Sequence, residues 1–173
     1  MWLAGGVAAL ALASLLGGCG FKLRAAPVFA FQTIALNPSP GAGVTLELRR
    51  SLGSKVWQPP AIPAPAAAAS APEPALPEVT LDMLSEQRER VVVGLNASGQ
   101  VRELQLRIRV KFRLRNPQGK ELIPETEILQ QRDISFNESA VLAKEAEEGL
   151  LYRDMQKDIV QQLLRRLAAV KAL

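Results

Sequence analysis

The chain has 173 residues, with no histidine, one cysteine, and 21 Lys and Arg against 17 Asp and Glu, giving a formal net charge of +4. A single cysteine excludes an intramolecular disulfide framework, and the missing histidine removes the side chain most often used in acid–base catalysis. A positive excess this modest does not indicate a nucleic-acid-binding protein. The length suffices for one domain that folds by packing alone.

The first 18 residues carry no charge, and residues 7–16 form a short run rich in Ala, Leu and Val. This run is shorter than the roughly 20 apolar residues that span a bilayer, but it has the length of a signal-peptide core. The segment LGGC at residues 16–19 matches the bacterial lipobox. We therefore predict a lipoprotein signal peptide over residues 1–18 and acylation of Cys19. A buried structural cysteine and a plain membrane anchor are the alternatives, and the uncharged n-region leaves open an upstream start or an atypical leader.

An acylated Cys19 would be an anchor and not a reactive thiol. Each buried methylene contributes about 0.8 kcal/mol, so two or three acyl chains hold a protein on a membrane. Residue 20 is Gly and not Asp. By resemblance to bacterial lipoproteins in general, this implies the outer membrane.

A Pro/Ala-rich segment at about residues 59–77 holds seven of the twelve prolines of the chain. Such a segment cannot support a continuous ladder of backbone hydrogen bonds. The roughly 40 residues between Cys19 and this segment are too few to fold alone. We therefore expect an insertion in a single domain over residues 19–173, with a linker between two domains as the alternative.

The region before the insertion predicts a strand at residues 29–37 followed by a helix. Residues 37–40 read NPSP, a turn signal. Val44, Leu48 and Leu52 then recur four apart, which is typical of one helical face, and Gly53 is a suitable stop.

Three strands are predicted after the insertion. The first alternates through Val79, Leu81 and Met83, and again through Val91, Val93 and Leu95. Turn sequences NASG at 96–99 and NPQG at 116–119 separate it from a second strand and that strand from a third at 123–136. In the second strand every other residue is apolar, which predicts one buried face. These apolar residues are Leu104, Leu106, Ile108, Val110, Phe112 and Leu114.

A long amphipathic helix is predicted at the end of the chain, capped by Asn137 or Ser139. Its apolar residues recur at spacings of three and four. They are Leu142, Ala146, Gly149, Tyr152, Met155, Ile159, Leu163, Leu167 and Val170. We expect Gly149 to permit close approach of the sheet. The element order predicts an α+β fold, a four-stranded mixed sheet with two helices packed on one face and the other face uncovered.

Two sets of cations are candidate binding residues for an anionic partner. The outward-facing positions of the second strand place like charges about 6.6 Å apart along one side. They are Arg107, Arg109, Lys111, Arg113 and Arg115. The structural alternative is that neighbouring strands supply acidic partners, drawn from Glu125, Glu127, Glu86 and Glu89. The other candidate is Lys144, near the start of the last helix, where a phosphate contact and a plain surface lysine are both open.

Four segments together resemble the LptE family of lipopolysaccharide-assembly lipoproteins. They are GCGFKLR, LNASGQVRELQL, RDISFNESAVLAKEAEE and LYRDMQKDIVQQLLRRL. The resemblance implies a non-enzymatic subunit that lies in the lumen of the outer-membrane β-barrel LptD, assists its assembly and helps deliver lipopolysaccharide to the outer leaflet. A stand-alone lipid carrier or chaperone and an anchored periplasmic hydrolase are the alternatives. No Gly-rich phosphate loop or metal-ligand spacing occurs, so we expect no cofactor and no metal.

Overall fold

The computed structural model describes residues 27–39, 43–59, 76–137 and 141–172. The predicted signal peptide, Cys19, most of the Pro/Ala-rich insertion and Ser139 lie outside the described residues. The regular elements are strands β1 (Ile34–Asn37), β2 (Val79–Leu95), β3 (Val101–Arg115) and β4 (Glu121–Ser135), and helices α1 (Gly43–Leu52) and α2 (Val141–Ala168). A short 3₁₀ turn, Gly53–Lys55, follows α1.

The sheet has the order β1-β2-β3-β4. β1 pairs with β2 in parallel, because α1 carries the chain back between them, and the remaining pairs are antiparallel. The α+β fold with a four-stranded mixed sheet and two helices is therefore confirmed.

Both predicted hairpin turns are present, and each depends on a glycine. Gly99 and Gly119 have φ angles of 78° and 84°, in the left-handed region that glycine adopts without steric cost. Each donates its N–H to the carbonyl of the turn's asparagine, Asn96 or Asn116, at 3.0 Å.

A single core lies between the sheet and the two helices. All six alternating apolar residues of β3, from Leu104 to Leu114, are buried, as the sequence predicts. Helix α1 contributes Val44, Leu48 and Leu52 to this core. Helix α2 contributes its C-terminal half, with Met155, Ile159, Val160, Leu163, Leu164 and Leu167 buried. Both helices therefore cover the same face of the sheet.

The alternation predicted for β2 holds only in its first part. Val79, Leu81 and Met83 are buried, but the register with β3 shifts by one residue between Met83 and Ser85. Beyond this bulge Glu86, Arg88, Arg90 and Val92 stand opposite buried β3 residues. Since side chains alternate faces, Val91 lies on the opposite, uncovered face, and Val93 lies at a second register shift between Val92 and Gly94.

The apolar stripe predicted along α2 is also only partly buried. Leu142 is 82% exposed and Leu150 is 59% exposed. Gly149 does not approach the sheet: a Cβ placed there would meet no atom within 4 Å. The expectation for Gly149 is therefore wrong. At the start of α2 the half-buried Lys144 and Glu148 face the sheet instead, where they contact Ser135 and Arg90.

Candidate binding surfaces

The uncovered face of the sheet carries the row of cations on β3, flanked by carboxylates from both neighbouring strands. Arg109 Nη1 lies 3.2 Å from Glu127 Oε1, and Lys111 Nζ lies 3.7 Å from Glu125 Oε1. Arg107 instead donates from Nε to the Gln105 side-chain oxygen at 2.7 Å. The structural alternative, cross-strand acidic partners, is thus present for much of the row.

Asp82 of β2 connects three strands on this face. It is buried, and it accepts hydrogen bonds from Arg113 Nε at 2.9 Å and from Asn37 Nδ2 of β1 at 2.8 Å. Arg115 Nη2 lies 2.8 Å from the same carboxylate. Burial alone would raise the pKa of Asp82, but the two hydrogen bonds and the charges of Arg115 and Arg113 outweigh it and lower the pKa. Sequence reasoning missed Asp82, because its partners are fixed only by strand register.

Two of the acidic partners proposed from the sequence lie on opposite faces of the sheet. Glu89 is directly opposite Arg107 in the β2–β3 register. Glu86 is not a partner of the row, because the bulge in β2 turns it to the helix-covered face.

Lys144 lies in the second turn of α2 and is held by neighbouring groups. Its Nζ is 3.1 Å from Ser135 Oγ and 2.8 Å from Glu147 Oε2. The lysine is thereby tied to the end of β4 and does not extend freely into solvent.

A cleft of about 440 Å³ separates α1 from α2 over the bulged part of β2. Its lining includes four cations from three elements and one carboxylate, Glu47. The cations are Arg50, Arg88, Arg153 and Lys157. We call this cleft the basic groove. No sequence pattern indicates it, because residues distant in the chain converge there only after the bulge turns Arg88 toward the helices.

Glu86 lies beneath the basic groove, with its side chain only 1% exposed. Its Oε2 accepts the N–H of Val44 at 3.0 Å, which satisfies a free donor in the first turn of α1. Its other oxygen lies 3.7 Å from Arg88 Nη2. Burial raises the pKa of Glu86, and the backbone N–H groups of α1 and the Arg88 charge only partly oppose this effect.

Exposed apolar side chains cluster in two parts of the molecule. Val92, Val93 and Leu95 are exposed at the end of β2, beside the first hairpin turn. Leu142 and Leu150 are exposed on α2. Among the described residues no helix has the length and apolar character required to cross a membrane, and no cluster of His, Cys, Asp or Glu is suited to hold a metal ion.

Comparisons with known proteins agree on one family. A family model described as LptE, lipopolysaccharide-assembly, matches residues 31–167. The solution structure of lipoprotein B from Nitrosomonas europaea is 32% identical, with a TM-score of 0.66 over 87% of this chain and 91% of that one. Rare lipoprotein B from Shewanella oneidensis is 24% identical, with a TM-score of 0.59 over 79% and 94% of the two chains, and supports the fold alone.

A minor lipoprotein from Acinetobacter baumannii shares the fold at 17% identity, with a TM-score of 0.60 over 82% of this chain and 94% of that one. No curated protein matches the chain in sequence. The matched residues 31–167 include every strand, α1 and all but the last residue of α2. The chain therefore belongs to the LptE family of lipopolysaccharide-assembly proteins.

Proposed function

We propose that this protein is an outer-membrane lipoprotein, anchored by an acylated Cys19, that binds and plugs an LptD-type β-barrel. In this role it assists assembly of the barrel and delivery of lipopolysaccharide to the outer leaflet, without making or breaking covalent bonds. The observation that carries the proposal is the family match over residues 31–167. The uncovered sheet face supports it, since such a face offers an extended surface to a partner.

We further propose that the β3 row and Lys144 contribute to binding of lipopolysaccharide or the barrel wall. Within the row, Arg107 has no carboxylate at ion-pair distance among the described residues and is therefore the least neutralised. Arg113 is held by the buried Asp82. Arg109 and Lys111 pair only with exposed or half-exposed carboxylates, and such pairs are weak in water. An anionic partner can displace them, because an arginine fork pairs two phosphate oxygens at once.

The anchor and the partner are tested together by affinity purification from membranes in a mild detergent, followed by intact-mass analysis. We expect a chain that begins at Cys19 and carries acyl chains, accompanied by a β-barrel protein. Cys19→Ala should lose the acyl mass and leave the membrane fraction. A soluble chain with a free thiol contradicts the anchor. An acylated chain without a barrel favours the stand-alone carrier.

The β3 row is tested by charge reversal and charge exchange. Arg109→Glu with Lys111→Glu should leave unfolding cooperative but weaken binding of lipopolysaccharide or barrel. Adding Glu127→Arg and Glu125→Lys restores both ion pairs with their directions exchanged. If binding stays weak after this exchange, the cations act through their position. If the exchange restores binding, or if the reversal never weakens it, the row is only structural.

A further inference from the structure

Two features of the basic groove make its cations available to a ligand. Arg50 pairs with Glu47 at 3.3 Å and Lys157 with Asp154 at 3.6 Å, but both are exposed pairs three residues apart on a helix, and such pairs contribute little. Arg153 makes no ion pair with any described residue. The groove therefore retains positive charge that internal partners do not neutralise.

Arg88 and Gln156 form the floor of the groove. The Arg88 guanidinium lies 5.6 Å from the centre of the Tyr152 ring and 3.7 Å from Glu86, so these two groups restrict a side chain that is still 45% exposed. The Gln156 side-chain amide reaches the same floor, where its Nε2 would contact a Cβ atom placed at Gly43. Binding of an anion to side chains that are already restricted costs less conformational entropy than binding to free ones.

An apolar stripe on α2 leads directly to this groove. Leu142, Ala146 and Leu150 are exposed and, with 3.6 residues per turn, lie on the same helical face as Arg153 and Lys157. At 1.5 Å per residue, the distance along the helix from Leu142 to Arg153 is about 16 Å. Leu46 of α1, which is 50% exposed, adds apolar surface at the rim.

We propose that the basic groove and the apolar stripe together bind one anionic glycerophospholipid. Its phosphate lies among Arg50, Arg153 and Lys157, with Arg88 below, and an acyl chain lies along Leu142, Ala146 and Leu150. The continuity of the cationic and apolar surfaces favours an amphiphile over a soluble phosphate, which would leave the stripe unused. The groove volume of about 440 Å³ suits a single small headgroup. The site is on the helix side of the sheet and is independent of the β3 row.

The test is native mass spectrometry of the full-length protein in a non-ionic detergent, titrated with three probes. These are dioctanoyl phosphatidylglycerol, dioctanoyl phosphatidylcholine with the same chains and no net charge, and glycerophosphoglycerol with the head alone. We expect one equivalent of phosphatidylglycerol to bind at least tenfold more tightly than either other probe. Arg153→Glu should weaken it at least tenfold, and the matched control Arg165→Glu, an exposed cation in the last turn of α2, less than twofold.

The stripe is tested separately with Leu150→Ser, which should weaken binding of the lipid and leave that of glycerophosphoglycerol unchanged. Equal effects of Arg153→Glu and Arg165→Glu would show only a response to net charge and overturn the proposal. Equal binding of the lipid and glycerophosphoglycerol would overturn the role of the stripe. Co-purification with a barrel is unaffected by either result, so failure here is distinct from failure of the proposed function.

Discussion

Two glycines on the helices have different surroundings. Gly149 lies in the middle of α2 with open space around it, whereas Gly43 begins α1 against a crowded floor. A Cβ at Gly43 would contact Gln156 Nε2 and lie 2.6 Å from Arg88 Nη2. A side chain at position 43 would therefore displace the ends of flexible side chains, whereas at position 149 glycine only lowers helix stability.

We predict that Gly149→Ala raises the free energy of unfolding by about 1 kcal/mol, because alanine loses less backbone entropy in a helix. Gly43→Ala should stabilise the protein less than Gly149→Ala does, because its methyl group displaces the ends of the Gln156 and Arg88 side chains. Urea unfolding with unchanged m-values measures both. Equal stabilisation by the two substitutions would contradict the crowding described for the groove floor.

Asp82 contacts three polar side chains on the uncovered face, those of Asn37, Arg113 and Arg115. We predict that Asp82→Asn lowers the free energy of unfolding by about 2 kcal/mol, because two charge-assisted contacts with Arg113 and Arg115 are lost. Both guanidinium groups are partly exposed, which keeps the loss of stability near this value and not above it.

A matched control for Asp82→Asn is Glu125→Gln, which breaks only the longer, exposed pair with Lys111. It should change the free energy of unfolding by less than about 0.5 kcal/mol. Equal effects of the two substitutions in urea unfolding would mean that Asp82 does not connect the strands as its geometry indicates.

At the scale of the elements, the sequence predicts most accurately where one period continues unbroken. β3 is correct because its two faces differ in every residue from Leu104 to Leu114, and a strand has a period of two. β2 carries the same kind of signal, but one extra residue after Met83 exchanges its faces. Composition does not reveal the bulge, so neither the true orientation of Glu86 nor the basic groove is predictable.

The candidate binding residues divide in the same way, since the face that they occupy is predictable and their partners are not. The β3 row follows from periodicity alone, and its exposed side is correctly predicted. The acidic partners of the row depend on the register with β4. The apolar pattern does not fix this register, so it leaves several glutamates possible. For α2 the helix is correctly predicted, yet at its start Lys144 and Glu148, and not the apolar Leu142, contact the sheet.

The exposed start of α2 leads to a prediction for its dynamics. The first turn has no acidic residue to oppose the helix dipole, and Leu142 and Leu150 are exposed. We predict that amides of residues 145–150 exchange on the order of 100-fold faster than those of residues 159–167, because local opening exposes little apolar surface. Hydrogen exchange with β3 amides as the protected reference measures this difference. Uniform protection along α2 would contradict it.

At the scale of the whole molecule, the two faces of one sheet have separate electrostatics. The uncovered face combines the β3 cations with flanking carboxylates, and Asp82 is its buried centre. The helix-covered face has a buried carboxylate, Glu86, beneath the basic groove. These two acids have pKa shifts of opposite sign, so pH distinguishes the faces within a single folded chain.

The pKa of Asp82 is lowered from its ordinary value of 3.8, so its contribution to stability is fully present above pH 3.8 and is lost as pH falls through the folded pKa. The pKa of Glu86 is raised from 4.5, so the unfolded chain releases this proton first. Stability from Glu86 therefore decreases as pH rises from 4.5 through its folded pKa.

We predict that the stability of the wild type relative to Asp82→Asn increases with pH in the acid range, whereas its stability relative to Glu86→Gln decreases. Urea unfolding of the three proteins at a series of pH values between about 3 and 7 measures both differences. Because each comparison cancels the titration of every other group, the two slopes report on the two faces separately. Slopes of the same sign would mean that one carboxylate is not in the environment described, and the variant with the wrong sign identifies which face is affected.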